Sequence, residues 1–233
     1  MGRWENGVVR VERTSVFAMN PFVNVHHHGP SSGSVSIQNF DYWQDLELPK
    51  GFFSAGIHPW FPPTEEQWAA IQKAWEDPRC LALGECGLDR LRGDKLEEQK
   101  KWFELQLESC ELPVLIHAVK VDAELWEVFQ AFPSKKWVIH GAMGKWERWK
   151  KFVSEGVCFS FGKGLLSDAA TQETFRNIPM EQLFLETDAA DPNLLESIYR
   201  QAAAIKQKEM DVVKQEIWSN FATTFEKIWY LIG

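Results

Sequence analysis

From residue 50 onward the chain alternates short apolar runs with longer stretches that are apolar on one helical face only, and few folds accommodate that rhythm. "FFSAGIH" (52–58) precedes a helical pattern near 64–76, and "CLALGE" (80–85) precedes one near 95–111. "PVLIH" (113–117) precedes one near 122–132, and "WVIHG" (137–141) one near 145–155. "VCFSF" (157–161) precedes one near 168–176, and "LFLETD" (183–188) leads into helices near 193–208 and 211–231. The short runs are mostly apolar, as in parallel strands buried on both faces. Repeated βα units with short links imply one parallel sheet, open or closed into a barrel. "FVNVHHH" (22–28) adds an earlier strand, making seven. A chain of 233 residues, 45% of them hydrophobic, suits a single α/β barrel, which commonly runs to roughly 250 residues. Residues 1–18 read as an N-terminal appendage, in which "VVRVERTSVF" has an extra strand's pattern, and 19–233 as one domain.

What ends each strand carries the chemistry. His26 and His28 close the first run, His58 the second, Glu85 the third, His117 the fourth, His140 the fifth and Asp188 the last. Any one of these has an ordinary structural reading as a capped, hydrogen-bonded core group. So many at the same end of successive parallel strands is different, because those ends converge on one mouth where active sites form. In a strand, side chains alternate faces, so His26, His28 and Asn24 point one way while Val23, Val25 and His27 point the other. The run is internal and preceded by a strand pattern, which argues against a tag. His27 is therefore expected to face the helices and to take no part in metal binding.

Imidazoles and carboxylates together suit a hard-to-borderline divalent ion. The set exceeds what one ion with an open position needs, so two ions sharing a carboxylate are expected. Such a pair can activate water and stabilise both the attacking and leaving oxygens, and phosphoester hydrolysis fits best. Cys80, Cys86, Cys110 and Cys158 show no CxxC spacing and read as free thiols of an intracellular protein. No GxSxG elbow supports a serine nucleophile. No apolar run approaches the ~20 residues of a membrane span, and the start lacks a secretory core, so a cytoplasmic protein is expected. A net charge of −8 opposes broad adhesion to nucleic acid but allows a small phosphate-binding cleft whose positive charge comes from metal. Most of the twelve tryptophans fall at helical spacing, as in "KWERWKKF", and read as packing contacts.

Taken together, "NVHHH", "GIHPW", "ALGECGLD", "EEQKKWFELQLESCELPVLIH", "VIHGAMG", "ETDA" and "SNFATTF" make the chain resemble the TatD-like metal-dependent hydrolases, a branch of the amidohydrolase superfamily that includes DNases. Order and spacing agree from about residue 79 to 225. The resemblance implies a TIM-like (β/α) barrel and two divalent ions, magnesium, manganese or zinc. It assigns His26 and His28 to one ion, Glu85 to a bridge, His117 and His140 to the second, and gives Asp188 both a metal bond and the proton of the attacking water. His58 is expected near the mouth as a substrate contact or simply packed beside Pro59, Asp89 to fix the loop after Glu85, and Asn220 to tie a helix.

Three departures bear on the substrate. Asn24 stands where the family usually has aspartate. Lys120 takes the place of an arginine after His117, and a lysine meets phosphate only as a point charge. The segment between His28 and Gly56 is short by roughly one βα unit, which predicts a distorted or seven-stranded barrel. DNA ends or a small phosphoester are the expected substrates. The alternatives are a lactonase, esterase or amidase with the same metal site, and a non-catalytic protein that keeps the barrel. Nothing in the sequence implies an obligate protein partner.

Overall fold

Each apolar run becomes a strand of one parallel sheet. The computed structural model describes residues 3–5, 8–10, 21–29 and 35–232. Strands β1 (Arg3–Glu5) and β2 (Val8–Arg10) pair antiparallel as a separate ribbon. β2 takes up the start of "VVRVERTSVF"; its remainder lies outside the described residues. The main sheet consists of β3 (Val23–His27), β4 (Val35–Asn39), β5 (Phe52–Ala55), β6 (Cys80–Asp89), β7 (Val114–Val119), β8 (Trp137–Ile139), β9 (Cys158–Phe161) and β10 (Leu183–Leu185), hydrogen-bonded in that order. All seven pairings are parallel.

The sheet curls until its first and last strands meet. Beyond β10, the Asp188 N–H donates to the His26 carbonyl (3.0 Å), and the His28 N–H donates to the Asp188 carbonyl (3.3 Å). Asn24 reinforces this seam: its amide donates to Thr187 Oγ1 (2.8 Å) and its carbonyl accepts the Thr187 N–H (3.0 Å). The polar residue at position 24 thus spends its hydrogen bonds on closing a TIM-like barrel.

That barrel has eight strands, and the expected loss of one is corrected. "VSIQN" (35–39) supplies β4 between β3 and β5, but with Ser36, Gln38 and Asn39 it is too polar to read as a buried run. The shortening falls on the connections. Residues 28–34 link β3 to β4, where a parallel crossover ordinarily takes a dozen or more, and no helix occurs among the described residues between β4 and β5. Phe40 and Tyr42, each 1% exposed, cover this part of the barrel together with Phe53, Ile57 and Ile71. Burying a ring such as Phe40 is worth about 2 kcal/mol, so a short apolar loop stands in for a helix.

Elsewhere the helices follow their sequence signals. α1 (Glu65–Glu76) starts at a capping box in which Thr64 Oγ1 accepts the Gln67 N–H and Gln67 Oε1 accepts the Thr64 N–H. α2 (Leu96–Ser109) turns Gln99, Phe103, Gln106 and Leu107 inward. α3 (Asp122–Ala131), α4 (Trp146–Ser154), the single turn α5 (Gly164–Ser167), α6 (Ala169–Asn177), α7 (Leu195–Lys206), α8 (Met210–Thr224) and α9 (Trp229–Ile232) complete the outer layer. The helix expected over 211–231 is broken after Thr224, where Phe225 leaves helical geometry (ψ 58°). No helix among the described residues is long and apolar enough to cross a membrane.

Candidate metal centre

The centre forms where the C-terminal ends of β3, β6, β7 and β8 and the turn after β5 face one another. Glu85 is the hub. It lies in β6, all ten residues of which are buried, and its amide donates to Asn39 Oδ1 (2.8 Å) of β4. Five of the chain's six histidines surround its carboxylate. His26 Nε2 (3.3 Å) and His28 Nε2 (3.5 Å) face Oε2, while His58 Nε2 (3.2 Å), His117 Nδ1 (2.6 Å) and His140 Nε2 (2.7 Å) face Oε1.

Asp188 stands on the outer side. Its Oδ1 lies 3.8 Å from His26 Nε2 and 3.7 Å from His28 Nε2, and its side chain is 46% exposed. Its backbone is left-handed (φ 52°), a conformation uncommon outside glycine, asparagine and aspartate. The ladder bonds on either side hold it there and aim the carboxylate into the mouth.

Outer groups fix the imidazoles. His28 Nδ1 donates to Asp41 Oδ1 (2.8 Å), which also accepts the Asn39 amide (2.6 Å). His117 Nε2 meets Asp89 Oδ2 at 3.0 Å, so this ring lies between two carboxylates. Glu186 Oε1 lies 3.5 Å from His140 Nδ1, with the Gly141 N–H donating to it and Ser160 donating to the other oxygen. Carboxylates placed behind histidines in this way set ring orientation and basicity in metal sites. His58 differs: its Nδ1 accepts the Trp60 N–H (3.1 Å). In the neutral ring that leaves the proton on Nε2, pointing at Glu85 as a donor.

Electrostatics follow from this crowding. Burial alone would raise the Glu85 pKa, but the positive charge of His140 and hydrogen bonds from His117 and His140 hold it well below the ordinary value. Burial would lower His140, yet Glu85 and Glu186 push it well above normal. His117 is likewise raised against burial by Asp89 and Glu85, and His28 to about 10 by Asp41 and Glu85. For His58 burial prevails, and its pKa is lowered.

The donors suit a divalent cation. His26 is fully buried, and neither ring nitrogen has a hydrogen-bond partner. A buried imidazole without a partner is costly unless something accepts its lone pair. Two ligands of a tetrahedral ion at ~2.1 Å lie about 3.4 Å apart. The contacts among His26, His28, Glu85 Oε2 and Asp188 span 3.3–3.8 Å and match that spacing. The clusters His26–His28–Asp188, His26–Glu85–His140 and His58–Glu85–His117 can each hold an ion. On the Oε1 side, His117 and His140 stand at direct hydrogen-bond distance, so that half is less open.

All six expected ligands thus meet, and His58 joins them. Lys120 follows β7 at the mouth, exposed, with its backbone left-handed (φ 53°) and its carbonyl accepting from Arg90. His27 is buried, with neither ring nitrogen hydrogen-bonded and no ion pair to the cluster's carboxylates among the described residues. Asp89 accepts N–H groups from Leu91, Arg92 and the Trp60 indole, holding the loop after β6. Asn220 donates to the Met180 and Leu183 carbonyls, tying α8 to β10. Sequence reasoning passed over Asp41 and Glu186. Glu186 carried a signal, a second carboxylate within "LFLETD"; Asp41, thirteen residues beyond His28 in a loop, carried none.

Comparison with known proteins agrees with this geometry. The profile of the family described as TatD related DNase matches residues 31–226, taking in Glu85, His117, His140 and Asp188 and beginning after His28. An uncharacterized metal-dependent hydrolase of Haemophilus influenzae is 27% identical over 200 residues, 74% of this chain and 76% of that one. A putative deoxyribonuclease TATDN1 homolog of Vairimorpha ceranae is 28% identical over 158 residues, and the match spans 67% of this chain but only 58% of that relative. The crystal structure of the TatD homolog YjjV from Escherichia coli superposes with a TM-score of 0.77 at 20% identity, covering 88% of this chain and 98% of that one. It shares the fold.

Proposed function

The chain belongs to the TatD-related DNase family and is a TatD-type metal-dependent hydrolase, and from that premise we propose that it cleaves phosphodiester bonds of nucleic acid. The observation that carries this reading is the single buried carboxylate, Glu85, ringed by five imidazoles within 3.5 Å at the barrel mouth. His26, His28, Glu85 and Asp188 would hold one divalent ion, and Glu85, His117 and His140 a second. Bound magnesium, manganese or zinc supplies Lewis acidity that makes water nucleophilic at neutral pH and offsets phosphoryl charge. The Asp188 carboxylate, exposed to the mouth, accepts the proton of the attacking water. Asp41, Asp89 and Glu186 keep His28, His117 and His140 oriented. Lys120, exposed and with no ion pair among the described residues, meets a phosphate oxygen as a point charge. The four unpaired cysteines suit a reducing compartment such as the cytoplasm.

The reading is tested by offering metal-loaded protein a panel of single-stranded DNA, a simple phosphodiester, carboxyl esters and lactones. Cleavage of DNA and the phosphodiester is expected. Turnover of esters or lactones alone would transfer the protein to the carboxyl-ester branch of the superfamily. A fully loaded site that cleaves none of them would point to binding without catalysis, a reading whose support, a missing strand, the eight-stranded sheet removes.

A further inference from the structure

Two of the twelve tryptophans lie in loops beside the metal centre, away from the helix layer. Trp60 is already engaged: its indole N–H donates to Asp89 (2.6 Å) and the Arg92 guanidinium lies over its ring at 3.8 Å. Trp43 is not. It is half-buried, and its indole N–H makes no hydrogen bond among the described residues. Its ring stacks on Phe61 with centroids 4.4 Å apart and an interplanar angle of 23°. Its centroid is 5.4 Å from that of His58 and 6.4 Å from that of His28.

The mounting is rigid. Tyr42, next in the chain, is 1% exposed and donates from its hydroxyl to the Phe61 carbonyl, so the loop after β4 and the turn after β5 are clamped together behind the ring pair. Keeping a large aromatic ring half in water at the edge of a polar cleft gains little for the fold. It does offer a π-face within one nucleotide's reach of the hub carboxylate. Every nucleobase has such a face, and stacking tolerates any base.

We propose that Trp43, backed by Phe61, is the stacking platform for a nucleobase beside the scissile phosphate. A base held in a duplex stack cannot present its face there, whereas a single strand or frayed end can. Trp43 is on this view a specificity-determining residue whose contribution depends on a base being present, whichever base it is. The proposal rests on the phosphodiester reading above.

The test compares a thymidine octamer with a wholly abasic octamer of the same phosphate count, using full-length protein with saturating manganese. Stacking one base is worth about 1–3 kcal/mol, so the wild type should favour the thymidine octamer in kcat/KM by about fivefold or more. In Trp43→Leu, which keeps apolar packing on Phe61 but has no π-face, that ratio should fall toward one. Trp43→Phe should retain most of it. A wild-type ratio near one, or a ratio unchanged in Trp43→Leu, overturns the platform while leaving the phosphodiester reading standing. Cleavage of neither octamer by wild type defeats the phosphodiester reading, and the platform with it.

Discussion

Asp188 and His27 show how one side chain's surroundings set its use. Asp188 is the one carboxylate of the cluster that opens to the mouth; Glu85 is buried and surrounded. Replacing Asp188 by Asn keeps shape and backbone bonds but removes the proton acceptor. We expect turnover to drop by about 100-fold or more, with the circular dichroism spectrum unchanged. Near-normal kcat in Asp188→Asn would take this residue out of the chemistry. His27 is the inverse case, a buried imidazole with no hydrogen-bonded ring nitrogen. Burial, with help from the charge of His26, lowers its pKa from 6.5 to about 4. The unfolded chain therefore binds a proton at this residue between those values while the folded chain does not, and stability is lost as pH falls through that window. His27→Leu should be less acid-sensitive than wild type between about pH 6 and about pH 4 in urea titrations, with metal content unchanged. Equal acid sensitivity of the two proteins would refute the assignment.

At the scale of elements, the site is held by side chains that reach from helices into loops. Gln99 of α2 accepts the Asp89 N–H (2.7 Å) and donates to the Asp89, Arg92 and Asp94 carbonyls, so one amide organises the whole loop after β6. Two turns further along the same face, Gln106 accepts the Ile57 N–H and donates to the Trp102 carbonyl (3.0 Å). These two amides were legible as part of a family pattern, but their work is visible only in three dimensions. In Gln106→Leu the buried Ile57 N–H loses its partner, at a cost of about 1–3 kcal/mol. The turn that carries His58 should also loosen, so activity should fall further than stability explains. Denaturant midpoints alongside kcat/KM would separate the two effects; a stability loss with activity intact would show that the turn holds its position without Gln106. Gly87 illustrates close packing between strands: at φ 140°, an added Cβ would sit 2.2 Å from the His117 carbonyl oxygen, so β6 and β7 can approach there only without a side chain.

For the molecule as a whole, a −8 chain gathers five imidazoles in one cleft. Without metal three of these rings hold their protons more tightly than a free imidazole: His28 is raised to about 10, and His117 and His140 are also raised. A cation must displace those protons, so affinity should fall as pH falls, and binding should release protons. Zinc or manganese titrations at about pH 6 and about pH 8 should show tighter binding at the higher value. Because a metal that binds only the folded state stabilises it by mass action, chelation should lower the thermal midpoint. A pH-independent affinity, or a midpoint indifferent to chelator, would show that these rings are not the ligands.

The sequence by itself determined the strand–helix rhythm, the parallel sheet and the ionisable residues at the ends of six of the seven runs, because burial on both faces writes itself as a nearly unbroken apolar run and any ionisable group closing it stands out. It did not reveal β4, since "VSIQN" is polar at three of its five positions, and the buried one, Asn39, is satisfied by contacts that no local pattern shows: it accepts the Glu85 N–H and donates to Asp41. Nor could it reveal the pairing of Asp41 with His28, or the seam between Asn24 and Thr187, which lies 163 positions along the chain. Only the tertiary structure decided these, because a closed barrel brings together residues that no local pattern relates, and a polar side chain's role depends on which partner closure delivers to it.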